Sequence, residues 1–393
     1  MIPRLKLNRK KTGLTVTGYV MEMRVELDKD KNFVALRPKY ENDVVTIPSE
    51  YEYDGISYPV TKIGKSAFSE IKNLASVIIS NSVTTIGDCA FYGCYKLGRV
   101  FIPDSVTEIG NAAFQFCFGL KNIKIPASVK KINKKVFANC YLLKDVHIPD
   151  SVKKIGGGAF EGCCSLKDIF IPDSVIEIGD DAFSSCESLR KIHLPDSVKK
   201  IGDGAFQYCK SLVGIHIPNS VKRIGMAAFE CCESLCDITI PNSMVMIEDK
   251  AFRGCSNLTS ISIPDSIIEI GDYAFCRCKS LTNMVIPESV KKIGVSAFKA
   301  CNNLTSVAIP DSTTEIGEEA FAWCPNLKSI HIPNSVKKIG KNAFAWCDGL
   351  EEIIIDDASL LVNAGLPKDV RIFDKKVTLY NIIQELRQNV QNS

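Results

Sequence analysis

Apolar residues recur along most of this chain with a strict spacing of 23 residues. Phenylalanine occupies one position thirteen times, from Phe68 to Phe344, and no unit gains or loses a residue. Leucine occupies a second position from Leu74 to Leu350, and proline occupies a third in eleven units from Pro103 to Pro333. A fixed period of this length predicts stacked structural repeats, which we call rungs, that bury a shared core.

The first part of each rung has the pattern of a β-strand. Ile123 and Ile125 alternate with Lys124, which is the period of a strand with one buried face. Pro126 ends this strand because proline has no N–H group to donate to a neighbouring strand. We therefore predict one main strand per rung, with the residue equivalent to Lys124 pointing outward.

The second part of each rung predicts a short extended segment followed by a helical turn. Val106 and Ile109 fit a second extended segment that faces the core. Ala113, Phe114 and Cys117 share one face at helical spacing, which predicts one short helical turn per rung.

The two ends of the chain depart from the repeat. Alternating apolar and polar residues over 21–28 predict hairpins, so residues 1–60 are expected to form an N-terminal β-rich cap. Residues 61–355 hold thirteen 23-residue repeats. Apolar residues at helical spacing after Thr378, a candidate N-cap, predict an amphipathic helix, so residues 356–393 are expected to form a C-terminal cap.

The repeat motif resembles that of a known family. Residues 102–124 read IPDSVTEIGNAAFQFCFGLKNIK, and the pattern Ile-Pro-Asp-Ser-Val-x-x-Ile-Gly-x-x-Ala-Phe-x-x-Cys-x-x-Leu is similar to the BspA-like leucine-rich repeat family over about residues 55–355. Residues 44–47 followed by 58–64 resemble the start of its repeat array. The resemblance implies an α/β repeat solenoid, right-handed and capped at both ends, with a parallel β-sheet on the concave face and short helical turns opposite.

The same resemblance implies a surface-exposed or secreted binding protein that adheres to host matrix, other cells or glycans. The net charge of +3, with both signs interspersed, does not favour a nucleic-acid partner. A basic arm at residues 4–11 leaves nucleic-acid binding as a third class, although a solvated tail is the simpler interpretation. No apolar run approaches the roughly 18 residues of a membrane span, so membrane insertion is not expected.

The location is predicted from the resemblance as cell surface or secreted. Residues 1–20 show a basic start without an apolar stretch, so no secretory signal peptide is visible, and a cytoplasmic location is the alternative.

Twelve of the seventeen cysteines occupy one column, from Cys94 to Cys347. Free cysteine is a common core residue, so we predict small buried thiols rather than disulfides or ligands. No compact pair of cysteines is matched by another pair, so neither zinc nor any cofactor is expected.

Candidate binding residues are sought where the repeat varies while the core is constant. The outward position of the main strand carries all four histidines and predicts a stripe of aromatic and cationic side chains suited to sugar rings or a protein loop. The candidate ligand-binding residues are Phe101, Lys124, His147, Phe170, His193 and His216. The alternative is that these residues only support pairing between strands.

Trp323 and Trp346 form a second candidate patch. They occupy the same rung position 23 residues apart, so we expect them side by side. Exposed, they would be a binding hot spot, but packing under the C-terminal cap is the simpler interpretation.

Catalytic motifs are missing from the sequence. It contains neither G-x-S-x-G nor H-E-x-x-H, and His147 near Asp145 and Asp168 would lie on an open surface that does not exclude water. We therefore predict a non-enzymatic protein that binds a protein or glycan through its concave sheet, with an intracellular scaffold for protein–protein interaction as the alternative.

Overall fold

A computed structural model describes residues 4–7, 13–17, 23–26, 44–53 and 56–374. The described repeats fold as parallel-strand β-solenoid turns, which confirms the predicted stacking of rungs. The chain divides into two compact units, Met1–Lys210 and Ser211–Ser393. The predicted helix after Thr378 lies outside the described residues.

The first unit begins with antiparallel strands and continues with parallel ones. Arg4–Leu7, Gly13–Thr17 and Met23–Glu26 form a three-stranded antiparallel sheet, and Glu50–Tyr53 pairs with Ile56–Pro59 as a hairpin. The main strands of this unit are Val44–Ile47, Ser76–Ile79, Arg99–Phe101, Asn122–Lys124, Asp145–His147, Asp168–Phe170 and Lys191–His193. Its short second strands are Lys62–Ile63, Thr85–Ile86, Glu108–Ile109, Lys131–Ile132, Lys154–Ile155, Glu177–Ile178 and Lys200–Ile201.

The second unit repeats the same two strand positions. Its main strands are Gly214–His216, Asp237–Ile238, Asn283–Val285, Ser306–Ala308, Ser329–Ile332, Glu352–Ile355 and Arg371–Asp374. Its short strands are Arg223–Ile224, Met246–Ile247, Glu269–Ile270, Lys292–Ile293, Glu315–Ile316 and Lys338–Ile339. The described helix is a single 3-10 turn, Ala358–Leu361, for which Asp357 accepts a hydrogen bond from the N–H of Ser359.

Strand register follows the sequence period. Paired strands place each residue beside the residue 23 positions away, as for Asn122 and Asp145 or Asp168 and Lys191. Ile123 is buried and Lys124 is exposed, which confirms the predicted inward and outward positions. Equivalent side chains of neighbouring rungs therefore form columns.

The predicted helical turns are wrong. Ala112, Phe114 and Phe116 donate their backbone N–H groups to carbonyls of the next rung at 2.8, 2.9 and 2.9 Å. Gln115 and Cys117 donate instead to the carbonyls three residues earlier, at 3.1 and 3.2 Å. Every second N–H group of the segment thus bonds to the next rung, and Ala112 and Phe116 adopt left-handed φ angles of 54° and 61°. In an α-helix every interior N–H group bonds within the helix. Residues 112–117 therefore form consecutive turns and not a helix.

The burial expected of that segment is nevertheless confirmed, since Ala113, Phe114 and Cys117 are fully buried. The phenylalanines form a stacked column in each unit. Ring centroids are 5.1–5.7 Å apart from Phe68 to Phe206, and 5.3–5.8 Å apart from Phe229 to Phe344. The core is therefore a continuous aromatic stack within each unit.

The cysteine column lies beside the phenylalanine column. The thiol of Cys94 donates to the carbonyl of Phe68 at 3.0 Å, and Cys117 donates to Phe91 at 3.2 Å. Burial raises the pKa of the Cys94 thiol to about 12. These buried thiols are therefore neutral core groups that connect successive rungs, as predicted for small buried residues.

Candidate functional site

The outward positions of the main strands are exposed to solvent. Phe101 and Phe170 each retain 65% of their surface exposure, which is high for a phenylalanine. Lys124, His147 and His193 are also exposed. We call these five residues of the first unit the main-strand face; His216, on Gly214–His216, lies in the second unit and is exposed there.

Two pairs of the predicted residues are direct neighbours. Lys124 lies beside His147, and Phe170 lies beside His193, in parallel strand register. Three main strands line an open groove of about 450 Å3, namely Asp145–His147, Asp168–Phe170 and Lys191–His193. The fold therefore brings His147, Phe170 and His193 to one groove, while Phe101 and Lys124 lie on the preceding rungs outside its lining.

Charged side chains flank the aromatic and histidine column. Asp145, Asp168 and Lys191 begin the three strands that line the groove. Within the part of the chain that the structure describes, none of these three side chains takes part in an ion pair. Both signs of charge thus remain available to a partner beside the exposed ring of Phe170.

The form of the groove suits binding rather than catalysis. It is open to solvent, and water-exposed charges are screened and hydrated, so the groove does not provide the dry environment that strengthens catalytic electrostatics. Among the described residues, no group of three or more His, Cys, Asp or Glu side chains is arranged to hold a metal ion.

The two tryptophans stack on each other as expected from their spacing. The ring centroids of Trp323 and Trp346 are 5.1 Å apart with an interplanar angle of 24°. Trp323 is 50% exposed and Trp346 is 61% exposed. Trp346 also lines a second groove, of about 990 Å3, together with residues 365–369 and Arg371.

An aromatic cluster in the first unit was not predicted. Tyr95, Phe118 and Tyr141 stack with centroid distances of 4.9 and 4.7 Å, and Phe116 contacts Tyr92 edge-on at 5.3 Å. The signal was present in the sequence, because Tyr95, Phe118 and Tyr141 are 23 residues apart and each follows a cysteine of the column.

A column of alternating charge occupies the short strands of the second unit. Lys292 lies 2.7 Å from Glu269, and Lys338 lies 2.6 Å from Glu315. These ion pairs join adjacent rungs at positions that are partly exposed to solvent, where such pairs contribute little to stability.

The repeat and the parallel strands define the class of this protein as a leucine-rich-repeat solenoid. The family model described as BspA type leucine rich repeat region matches residues 52–164, 153–282 and 245–364. The chain therefore belongs to the BspA-type leucine-rich repeat family. No curated protein matches it in sequence.

Solved structures support the same assignment. A leucine-rich repeat protein from Bacteroides ovatus is 25% identical, with a TM-score of 0.65 over 95% of this chain and 98% of that chain. A leucine rich cell surface protein from Faecalibacterium prausnitzii is 30% identical, with a TM-score of 0.57 over 92% of this chain and 94% of that chain. The pneumococcal vaccine antigen PcpA, 19% identical with a TM-score of 0.58 over 96% and 97%, shares the fold.

Membership of this repeat family of bacterial surface-type proteins indicates a protein-binding module, and family members are generally non-catalytic scaffolds. Within the described residues, no helix combines the length and the apolar character that crossing a membrane requires.

Proposed function

We propose that this protein is a surface or secreted, adhesin-like module that binds a protein through its main-strand face. The observation that carries the proposal is the groove of the first unit, where exposed Phe170 lies between His147 and His193 and beside unpaired charges. Aromatic anchors surrounded by polar groups are typical of binding hot spots.

Stability does not account for this surface. An exposed phenylalanine contributes little to the core, and the column varies in chemistry while the buried columns stay constant. A protein partner would desolvate the ring of Phe170 and meet Asp145, Asp168 and Lys191 at the rim. A glycan that stacks on Phe170 is the alternative ligand for the same face.

The surface location rests on the family and on one relative. The Faecalibacterium prausnitzii protein, 30% identical, is itself described as a cell surface protein.

The test is a binding screen of the full chain against immobilised matrix proteins, with a glycan array in parallel. The double variant Phe170→Ser with His193→Ser should weaken binding by about tenfold or more, the scale of a hot spot. Ile176→Ser is the matched control, because Ile176 is an exposed apolar residue of the same unit outside the groove. Equal losses in the two variants, at unchanged melting temperature, would contradict the assignment of the face.

An intracellular scaffold is the second candidate, and the cysteines favour it. All seventeen cysteines are free, and twelve form the buried column that packs between rungs. Free thiols in this number suit a reducing compartment. Cell fractionation distinguishes the two locations: protein found only in the culture supernatant or on the cell surface excludes the scaffold.

A further inference from the structure

The second unit carries an exposed aromatic surface that the main-strand face does not include. Trp323 and Trp346, the two tryptophans of the chain, are stacked on adjacent rungs and are each about half exposed. Trp323 covers one side of the Trp346 indole. Trp346 lines the groove of about 990 Å3 and Trp323 does not, so the free side of Trp346 borders that groove.

The backbone position of these tryptophans is unfavourable for a large side chain. Trp323 and Trp346 have φ angles of 61° and 60°, in the left-handed region. The equivalent position holds Gly93, Gly162 and Gly254 in three other rungs, where glycine adopts this conformation without a steric clash, and non-glycine residues in the remaining ones, among them Phe116 and Tyr208. Two bulky indoles at this position bury only half their surface. Their exposed halves are therefore available for a contact outside the chain.

Polar residues line the same groove as Trp346. The residues that line the groove with Trp346 include Asn342, Asp348, Asp369 and Arg371. These groups can donate and accept hydrogen bonds at several points around one aromatic ring. The volume lies at the upper end of the range for small-ligand sites, which is roughly 300–1,000 Å3.

The charges of this groove nearly cancel. Glu351 is neutralised by Lys328, whose ammonium lies 3.2 Å away. Asp348 and Asp369 are then opposed by Lys368 and by Arg371, which also lies 3.7 Å from Glu352. Neither sign dominates, so the groove does not select a strongly charged ligand.

We propose that this groove, which we call the Trp346 groove, binds a neutral oligosaccharide. One pyranose ring stacks on the free face of Trp346, whose apolar face suits the C–H face of a sugar. The carboxylates of Asp348 and Asp369 accept hydrogen bonds from sugar hydroxyls, and the amide of Asn342 can donate as well as accept. The site is independent of the proposed protein-binding face, which lies in the first unit.

Tryptophan fluorescence of the full chain tests this site directly, because Trp346 lines the groove and Trp323, the other tryptophan of the chain, stacks on it. Cellotriose, maltotriose and chitotriose serve as neutral probes, and a sulfated trisaccharide and a lysine-rich peptide serve as charged ones. A saturable change in emission with at least one neutral probe is expected. No saturable change with any neutral probe, or a response to the charged probes alone, overturns the proposal.

Variants separate stacking from loss of folding. Trp346→Ala should weaken the sugar by about tenfold or more in calorimetry, and Trp346→Phe should restore part of the affinity. Asp369→Asn keeps both fluorophores and should also weaken binding. Full sugar affinity in Trp346→Ala would overturn the stacking.

Two further measurements distinguish other occupants and the other face. The sugar-dependent change in tryptophan emission should persist in Phe170→Ser with His193→Ser, because both tryptophans lie in the second unit, so failure of the face in the first unit and failure of this groove give different results. A fluorescence change produced by an added peptide of residues 375–393, and by no sugar, would assign the groove to this chain instead.

Discussion

Phe160 and Phe170 lie in the same unit but in opposite environments. Phe160 is fully buried in the aromatic column, whereas Phe170 keeps 65% of its surface exposed on the main-strand face. Substituting each by alanine removes the same atoms from the core in one case and from the face in the other. The pair therefore separates what holds the fold from what is available to a partner.

The cost at Phe160 follows from its contacts. Its ring stacks on Phe137 at 5.6 Å and on Phe183 at 5.4 Å. A buried phenylalanine replaced by alanine costs about 3–5 kcal/mol, and each stacked pair contributes about 0.5–1.5 kcal/mol beyond burial. With two pairs lost, Phe160→Ala should lie near the upper end, at about 5 kcal/mol. Phe170→Ala should stay within about 0.5 kcal/mol of the parent chain.

Urea unfolding followed by far-UV circular dichroism measures the two free energies of unfolding. Circular dichroism is needed because both tryptophans lie in the second unit, so their fluorescence does not report on the first. If Phe160→Ala does not fold, Phe160→Leu retains apolar bulk and should cost about 1.5 kcal/mol.

A loss of stability in Phe170→Ala comparable to that in Phe160→Ala would refute the reasoning. It would mean that Phe170 supports the fold, and the argument that its exposure reflects binding would fail. A small loss in Phe160→Ala would equally show that the phenylalanine column is not the main source of cohesion between rungs.

Two further outcomes are expected for stability. Burial raises the pKa of the Cys94 thiol from its usual 9.0 to about 12. Between these two pH values the thiol ionises in the unfolded chain but stays neutral in the folded chain. The stability that the neutral thiol contributes is therefore complete below pH 9.0 and declines as the pH rises towards 12. The slope is roughly 1.4 kcal/mol per thiol per pH unit, and equal free energies of unfolding at about pH 8 and about pH 10 would contradict it. Gly110→Ala places a Cβ in steric clash with the backbone nitrogen of Asp88 and should cost about 2 kcal/mol or more. Gly98→Ala, whose nearest contact is at 3.4 Å, should cost less than about 1 kcal/mol. Thermal unfolding compares the two glycine variants, and similar melting temperatures would show that neighbouring rungs shift to accept the clash.

The sequence period was sufficient to predict the columns of this protein. In a solenoid with rungs of constant length, residues 23 positions apart become neighbours, so the spacing alone predicted the buried Phe114 and Cys117, the outward Lys124 and the contact of Trp323 with Trp346. Burial follows from the same rule, because an apolar residue repeated in every rung has an identical apolar residue on each side.

Hydrogen bonding between rungs could not be predicted from one rung. The spacing of Ala113, Phe114 and Cys117 fits either a helix or consecutive turns, and the choice depends on where the backbone N–H groups find acceptors. Ala112 and Phe114 donate to carbonyls of the next rung. The serine of the repeat motif also bonds between rungs, since the hydroxyl of Ser105 donates to the carbonyl of Val83 at 2.6 Å.

The Trp346 groove likewise depends on the tertiary structure. The spacing of the repeat predicted that the two tryptophans are neighbours, but the wall formed by residues 365–369 and Arg371 belongs to a segment without the repeat, in which Gly365 has a left-handed φ of 70°. Within the repeats, each residue lies beside the equivalent residues 23 positions away, so the sequence alone predicts its neighbours. Beyond the last repeat, the position of each residue depends on backbone hydrogen bonds and tertiary contacts that no local pattern encodes. Only the folded chain therefore shows which polar residues line the Trp346 groove.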